Sequence, residues 1–216
     1  MGMAEGGAKG GAVDQSAQPA TAQRIVDAAR SLMIERDLLE VSIADISERA
    51  GTNVALVSYY FGNREGLMIA IVEGDARRAA GHLDRLLAAD MTPTAKMERH
   101  IRGMIEAYFD RPYLNRLLHK LLREASPQAS AKVGASFVRP VTEARRAMIA
   151  DGVARGEFRA VDADLVSFAI DGACAHLFSS EQSRRTVLGD GSLDHNLIDR
   201  YVVTVTDLIV GGLLAR

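Results

Sequence analysis

Histidine, cysteine and carboxylate side chains are the groups of this chain that could bind a metal ion or carry out catalysis. The 5 histidines include no His-x-x-x-His pair, which would place two ring nitrogens on one face of a helix. Cys174 and His176 share an apolar segment, where a small buried thiol beside a hydrogen-bonded imidazole is the ordinary explanation. Helix capping explains the aspartates of segment 190–199 more simply than a cation site does. The sequence therefore predicts no catalytic residue, no metal site and no cofactor.

A different chemistry is available in segment 49–64, which contains hydroxyl and aromatic side chains but no carboxylate. Glu48 and Glu65 stand immediately outside this segment. A surface that approaches phosphate groups needs such a gap, and hydroxyl groups and helix N-termini can bind phosphate there. The feature is local, because the formal net charge of -2 gives the whole chain no basic field. Segment 49–64 is therefore a candidate nucleic-acid-binding surface.

Two short helices are predicted to position this segment. The second helix of the chain begins at Ser42, whose hydroxyl can cap free N–H groups, and Asp45 resembles the reciprocal arm of a capping box. Gly51 supplies a sharp turn, and Asn53 caps a third helix that runs through Phe61. Two short helices separated by a few residues that include a glycine have the spacing of a helix-turn-helix.

The third helix is predicted to have an inner and an outer side. At about 100° per residue, Val54, Val57 and Phe61 share one side, which we expect to pack on the first two helices. The residues left to face outward, toward a major groove if DNA is the partner, are Ala55, Leu56, Ser58 and Tyr59. No Arg or Lys stands between Arg49 and Arg64, so this helix cannot make the bidentate contact to guanine. Base recognition would then depend on thymine methyl groups, hydroxyl hydrogen bonds and groove shape.

The run from Thr21 to Ile71, particularly SIADISERAGTNVALVSYYFGNREGL, resembles the DNA-binding domain of TetR-type (TetR/AcrR) transcriptional regulators. The match combines the opening helix, the capped second helix, the glycine turn, the Tyr60-Phe61 pair and the start of a fourth helix at Arg64. It covers about a quarter of the chain. The rest of the chain is similar to the family only in its general helical character, which is that of the family's variable domain that binds an effector and dimerises.

The resemblance implies roles for individual residues. Ser42 with the N-terminus of the second helix would meet one phosphate, Tyr60 another and Arg64 a third. The full set of predicted DNA-binding residues is Ser42, Asn53, Val54, Ala55, Leu56, Ser58, Tyr59, Tyr60 and Arg64. The family often has a Lys after the cap of the third helix and a Tyr and a His before the Tyr-Phe pair, whereas this chain has Val54, Ser58 and Tyr59. Base recognition must therefore differ here.

The fold class follows from hydrophobic periodicity. Apolar residues recur at spacings of three and four, and no run alternates with the period of two that strands show, which predicts an all-α protein of about nine helices. We expect a disordered tail at 1–20, a helix-turn-helix domain at 21–71 and an effector-binding and dimerisation domain at 72–216. The helices after the fourth are expected at 94–109, 112–125, 127–155, 163–182 and 194–214.

The resemblance also implies an effector pocket and a dimer interface in the second domain. Most apolar residues at these spacings are core, and some are expected to line a cavity for a largely apolar effector. The candidate pocket residues are Ile101, Met104, Ile105, Tyr108, Leu117, Leu121, Phe137 and Met148. The candidate dimer residues are Leu165, Phe168, Gly172, Ala175, Leu197, Tyr201, Val205, Leu208 and Gly212.

The function implied by the resemblance is a homodimeric, ligand-responsive repressor that a small, largely apolar effector releases from a palindromic double-stranded DNA operator. An all-helical small-molecule enzyme or carrier, in which the helix-turn-helix contacts another protein, is the alternative; it lacks a nucleophile and a base at recognisable spacing. The single cysteine and the absence of an apolar run long enough to span a bilayer predict a cytoplasmic protein without a membrane partner.

Overall fold

The computed structural model describes residues 17–37, 39–189 and 192–215, and these residues form an all-helical structure. The helices are α1 (Ala17–Glu35), α2 (Ile43–Arg49), α3 (Val54–Phe61), α4 (Arg64–Ala88), α5 (Pro93–Asp110), α6 (Tyr113–Glu124), α7 (Pro127–Val133), α8 (Arg139–Ala154), α9 (Ala163–Ser179), α10 (Glu181–Leu188) and α11 (His195–Leu213). A π-helical turn, Gly134–Val138, connects α7 to α8. Within these ranges the extended pairing is limited to one antiparallel bridge between Phe158 and Leu214. The all-α prediction is confirmed.

Side-chain caps fix the starts of the three helices that surround the turn. Ser42, Asn53 and Asn63 each accept a hydrogen bond from the backbone N–H three residues later, at 3.0, 3.0 and 2.9 Å. Gly51 and Gly62 end α2 and α3 with φ angles of 62° and 74°, a left-handed conformation that glycine adopts without strain. These local signals are the ones that the sequence displayed, and the predicted bounds of α2 and α3 are confirmed.

Three elements differ from the predictions by more than one residue at a helix end. Helix α1 begins at Ala17, inside the predicted tail, whose residues 1–16 lie outside the described ranges. The helix expected over 163–182 stops at Ser179, because Ser180 has an extended backbone and its hydroxyl caps the separate helix α10. The helix expected over 127–155 contains the π-helical turn, in which the Arg139 N–H donates to the carbonyl of Gly134.

Proline chemistry accounts for that π-helical turn. Pro140 lies in the first turn of α8 and has no N–H to donate to the carbonyl four residues earlier. Its ring also crowds that carbonyl, and a helix commonly relieves such crowding by a local π-bulge or kink. The chain therefore continues from α7 to α8 with a widened turn instead of a break.

The helices form two connected groups. Helices α1, α2 and α3 pack together around buried side chains such as Ile25, Ile46 and Val57, and α4 extends from this group into the rest of the molecule. Helix α5 lies at the centre of the second group, where it contacts α4, α6, α8, α9 and α11. Because α4 packs against both groups, it connects the helix-turn-helix to the C-terminal bundle.

Candidate functional site

The outer face of α3 is open to solvent. Ala55, Ser58 and Tyr59 are exposed, with 68% of Tyr59 accessible, whereas Val57 is buried against the first two helices. Leu56 is half-buried on the flank of the helix. The predicted orientation of the helix is therefore confirmed for these residues. Their contact with DNA stays a prediction.

Val54 departs from the expectation that it packs inward with Val57 and Phe61. It is 49% exposed, although Val57 is buried and Phe61 is half-buried against the core. Val54 is the first residue of α3, so its side chain lies at the end of the short helix, where fewer neighbours cover it. The inward assignment of Val54 was wrong, and the residue belongs to the exposed end of α3.

The three consecutive aromatic residues of α3 differ in environment. Tyr59 and Tyr60 meet edge to face with ring centroids 5.2 Å apart, and Tyr60 lies 6.2 Å from Phe61. Tyr60 and Phe61 are half-buried and pack against the core, while Tyr59 projects into solvent. Two adjacent tyrosines on a short helix cannot both be core residues, and this arrangement places the free aromatic surface on Tyr59.

The two arginines that bound the carboxylate-free segment are both ion-paired. Arg49 binds the Glu35 carboxylate through both terminal nitrogens, at 2.7 and 2.9 Å, and this contact lowers the pKa of Glu35 to about 2. Arg64 lies 2.9 Å from a Glu40 carboxylate oxygen and donates to the carbonyl of Leu39 at 3.0 Å. The predicted phosphate contact of Arg64 therefore requires the guanidinium to share or exchange these partners. Ser42 and Asn53 are exposed nearby, and because their side-chain oxygens accept the cap hydrogen bonds, the Ser42 O–H and the Asn53 NH₂ are the donors they can offer to a phosphate.

Helix α6 of the second group contacts the loop between α1 and α2. Arg116 binds the side chain and the carbonyl of Asp37, which ends the turn after α1 with a φ of 49°. Lys120, one helical turn further along α6, lies 2.9 Å from Glu40. Glu40 therefore contacts both Lys120 of α6 and Arg64 of α4, and its pKa is lowered, mainly by the hydrogen bond from Lys120. The loop before α2 is thus anchored to the second group by charged contacts.

A cavity of about 320 Å³ lies between α4, α5 and α8. Its apolar wall includes Leu83, Met104, Tyr108, Leu114, Phe137 and Val141. A second cavity of about 350 Å³ adjoins it between α6, α8 and α9. The two cavities share Tyr108, Phe137, Val141 and Asp171 as walls. We call the first of them the α4–α5 cavity.

The predicted pocket residues divide into lining and core. Met104, Tyr108 and Phe137 line the α4–α5 cavity, as expected. The other five are buried in the hydrophobic core and touch neither of these two cavities: Ile101, Ile105, Leu117, Leu121 and Met148. Leu117 and Leu121 instead line a separate cavity beside Glu40 and Arg64. Helical periodicity identifies the inward face of a helix but not which inward residues meet a void. The assignment of these five residues to an effector pocket stays a prediction.

The α4–α5 cavity also has polar walls that the sequence analysis missed. At one end Arg145, which is fully buried, donates from Nε to Nε2 of His100 at 2.9 Å and pairs with Asp171 at 2.6 Å. Its Nη2 also contacts the sulfur of Met104 at 2.9 Å. Burial and the Arg145 charge lower the pKa of His100 to about 3, so this imidazole is neutral near neutral pH. No local pattern in the sequence distinguishes these polar residues from exposed ones.

At the other end of the cavity, Asp75 of α4 is buried among cationic groups. Its carboxylate lies 3.0 Å from Arg78, 3.6 Å from Arg30 of α1 and 3.9 Å from Arg111, and it accepts a hydrogen bond from the Tyr113 hydroxyl at 3.0 Å. Arg30 also donates to the carbonyl of Ile71. The neighbouring Gly74 makes room for this contact, since a Cβ there would lie 2.5 Å from the Arg30 guanidinium. Asp75 therefore joins the cavity wall to the helix-turn-helix. These charged ends do not match the expected largely apolar lining.

An apolar stripe on α9 and α11 faces solvent. Leu165, Phe168 and Leu208 are exposed, with 76% of Phe168 accessible, and Gly172 and Gly212 lie beside them. Leu197 is half-buried; Tyr201 is also half-buried, and its hydroxyl donates to the carbonyl of Ala173 within the chain. Ala175 and Val205 are buried inside the protomer and are not part of the exposed surface, and their place in a dimer interface stays a prediction. They occupy the sides of α9 and α11 that pack inward.

Two further properties bear on function. Among the helices of the described ranges, none is long and apolar enough to span a membrane. In the same part of the chain, no group of three His, Cys, Asp or Glu side chains is placed to hold a metal ion.

Comparison with known proteins gives consistent matches. The family model described as bacterial regulatory proteins, tetR family, matches residues 25–71, and the tetracyclin repressor-like C-terminal domain matches residues 90–216. The HTH-type transcriptional regulator BetI 1 of Chromohalobacter salexigens is 29% identical over 104 residues, which cover 48% of this chain and 50% of that protein. The chain thus spans about half the length of the curated relatives it matches.

Solved structures share the fold. A TetR/AcrR-family regulator from Thermobifida fusca has a TM-score of 0.69 at 23% identity, covering 89% of this chain and 98% of its own. FadR from Bacillus subtilis, in complex with stearoyl-CoA, has a TM-score of 0.71 at 18% identity, covering 88% and 98%. The C-terminal family model alone covers more than half of the chain, and the N-terminal model matches the helix-turn-helix. The chain therefore belongs to the TetR family of bacterial regulatory proteins.

Proposed function

We propose that this chain is a dimeric transcriptional regulator that binds a palindromic operator through α3 and, as a repressor, leaves it when a small effector occupies the C-terminal cavity. The observation that carries the proposal is the exposed outer face of α3, with Tyr59 projecting from a helix whose opposite side is packed on α1 and α2. A short helix held in this way can enter the major groove and present its exposed side chains to base edges.

Most of the proposed contacts with the phosphate backbone use neutral donors, and Arg64 is the predicted cationic contact. Ser42 at the start of α2 and Tyr60 on the flank of α3 carry hydroxyl groups, and the helix N-termini supply N–H groups. Arg49 and Arg64 are held by carboxylates. Each phosphate that a cation neutralises makes log K fall more steeply with log salt, by about 0.9. We therefore expect a shallow salt dependence from the described part of the chain.

The proposed dimer uses the exposed stripe on α9 and α11. Leu165, Phe168 and Leu208 are exposed apolar side chains on these two helices, and the exposed Gly172 and Gly212 would allow close approach of helices from a second copy. A two-fold dimer would place its two α3 helices about 34–36 Å apart, or a multiple of that distance, in successive major grooves of a palindromic site. Phe168→Asp is expected to yield a monomer in sedimentation velocity at micromolar concentration, while Val187→Asp on α10 leaves the dimer intact.

The proposed response to an effector requires only that the effector binds the two arrangements of the dimer with different affinity. Support comes from the cavities described above and from the Bacillus subtilis FadR structure, which was solved with stearoyl-CoA. Helix α4, which borders the α4–α5 cavity and packs against α1 and α3, is the proposed connection to the operator-binding surface.

The decisive experiment is a gel-shift assay with DNA from upstream of the gene that encodes the chain, compared with scrambled DNA of the same length. We expect tighter binding to the upstream DNA, and Tyr59→Ala should reduce that preference about tenfold or more by removing a base contact. Val187→Ala, an exposed apolar residue on α10, is the matched control. Equal affinity for both DNAs, or an unchanged preference in Tyr59→Ala, would contradict the proposal.

The same assay separates the regulator from the alternative enzyme or carrier. A carrier or enzyme that uses the C-terminal cavity would bind or convert small molecules without any preference for the upstream DNA. Assays of turnover on candidate ligands then test for catalysis directly.

A further inference from the structure

The geometry points to an effector with an anionic, hydrogen-bond-accepting head group, such as a carboxylate, on a small apolar body. This inference rests on the effector cavity of the proposed function and names the class of ligand that the α4–α5 cavity would select. The polar groups on the cavity wall differ in whether they already have strong hydrogen-bond partners within the chain, and that difference carries the inference.

Three guanidinium groups surround the buried carboxylate of Asp75, and the carboxylates of Glu106 and Asp110, which also line the cavity, are exposed. Asp75 is the shared partner of Arg30, Arg78 and Arg111, and it also accepts the Tyr113 hydroxyl. Arg111 has the longest of these contacts, 3.9 Å, and its buried Nε has no hydrogen-bond partner in the described part of the chain. This Nε has almost no accessible surface, so an incoming acceptor would bind the terminal nitrogens of Arg111, whose contact with Asp75 is long. Both Arg78 and Arg111 line the cavity.

The opposite end also offers a donor without a second strong acceptor. Nη2 of Arg145 donates to Asp171 and also contacts the sulfur of Met104, a weak acceptor, and all three residues line the cavity. An oxygen atom of a ligand would be a better acceptor for this Nη2 than the thioether is.

The carboxylates of the wall do not offer a comparable site to a cation. Asp75 and Asp171 are each already paired with arginines, so a ligand ammonium group would have to displace a guanidinium. Glu106 lies 3.5 Å from Arg102 and is half-exposed, and Asp110 is exposed to solvent, where a charge interaction is weak. The unused hydrogen-bonding capacity of the buried wall is therefore mainly that of donors.

The space between the two ends suits an apolar body of modest size. Leu83, Leu114, Phe137 and Val141 line it, and the volume of about 320 Å³ is at the small end of ligand pockets. An effector with one anionic group and a short alkyl or aromatic portion would accept hydrogen bonds from the donors at one end of the cavity and fill the apolar space between the ends. The adjoining cavity beyond Tyr108 could accept a longer tail.

Isothermal titration calorimetry of the full chain with octanoate, octanol and octylammonium tests this inference, because the three probes share one alkyl chain and differ in head group. We expect octanoate to bind at least about tenfold more tightly than the other two, as a hydrogen bond to a charged group implies. Arg111→Gln should bring octanoate close to octanol while leaving the octanol affinity unchanged, and Arg78→Gln, at a half-exposed position, should have a smaller effect in the same direction. Arg77→Gln, an exposed neighbour on α4, is the control and should keep the preference.

Octylammonium binding as tightly as octanoate, equal binding of octanoate and octanol, or no saturable binding of any probe to the folded chain would each overturn the inference. Circular dichroism identifies a variant that has not folded. If a variant fails to fold, the relative affinities of the three probes for the unaltered chain still test the head-group preference. A gel shift on the same sample keeps the two proposals apart. Sequence-specific DNA binding without octanoate selectivity refutes only the ligand class, and octanoate selectivity without DNA preference refutes only the proposed function.

Discussion

The buried Asp75 cluster should dominate the stability of the junction between α1 and α4. Asn at position 75 keeps the shape of the side chain and removes the charge. Asp75 is 2% exposed, and the Arg30 side chain opposite it is 9% exposed, so Asp75→Asn leaves a buried guanidinium without its carboxylate. Breaking a buried ion pair in this way typically costs about 3–5 kcal/mol.

The partners of Arg30 place the expected cost near the lower end of that range. Arg30 still donates to the carbonyl of Ile71 at 3.1 Å and pairs with the exposed Asp27 at 3.3 Å. Arg78 is about half-exposed and can turn into solvent, so its lost contact with Asp75 contributes less than about 1 kcal/mol. We therefore expect Asp75→Asn to lower the free energy of unfolding by about 3 kcal/mol.

Urea denaturation followed by circular dichroism at fixed protein concentration measures this loss, since the stability of a dimer depends on concentration. Arg78→Gln is the control and should cost less than about 1 kcal/mol. Arg30→Met combined with Asp75→Asn completes a double-mutant cycle, in which we expect a coupling of about 1–3 kcal/mol. A loss below about 1 kcal/mol for Asp75→Asn, or effects at positions 30 and 75 that simply add, would refute the reasoning.

Two further predictions concern a close contact and a titration. Gly66→Ala should destabilise the chain by at least about 2 kcal/mol in the same urea assay, because a Cβ there would lie 1.9 Å from the carbonyl oxygen of Phe61. Gly81→Ala on the same helix should be neutral or stabilising, because a Cβ there would make only an ordinary contact with the Arg85 guanidinium, at 3.6 Å. Equal effects of the two substitutions would contradict this prediction. Because the pKa of His100 is lowered from 6.5 to about 3 in the folded chain, the unfolded chain binds the proton first as the pH falls. The free energy of unfolding should therefore decrease from about pH 6 to pH 4 by up to about 1.4 kcal/mol per pH unit, and His100→Gln should remove that part of the slope. An unchanged slope in His100→Gln would show that other groups carry it.

The parts of the fold that the sequence predicted well depend on local chemistry. Ser42 and Asn53 cap helices through hydrogen bonds that span three residues, and Gly51 adopts a left-handed conformation that few other residues tolerate. These interactions are complete within a short segment, so residue type and spacing suffice. The outward orientation of Tyr59 followed in the same way from the helical repeat.

The features that the sequence did not predict depend either on packing between helices that are far apart in sequence or on a local capping signal that is outweighed by the apolar run before it. Ser180 followed by Glu181 is a normal helix start, but the apolar run before it suggested a continuous helix. Whether Ile101 or Met104 meets a void is decided by side chains from other helices, which periodicity does not reveal. The burial of Arg145 is likewise set by α5 and α9, far away in sequence.

Helix α6 contacts both the cavities and the loop before α2. Its inner side supplies Leu114 to one cavity and Leu118 to the other, while Arg116 and Lys120 bind the loop that leads into α2. We expect a helix of this length to move as a rigid unit, so a ligand that displaces its inner side would also displace the loop before α2. Under the proposed function, ligand binding and the orientation of α2 and α3 would then be coupled through Arg116 and Lys120, and replacing these two residues would uncouple them.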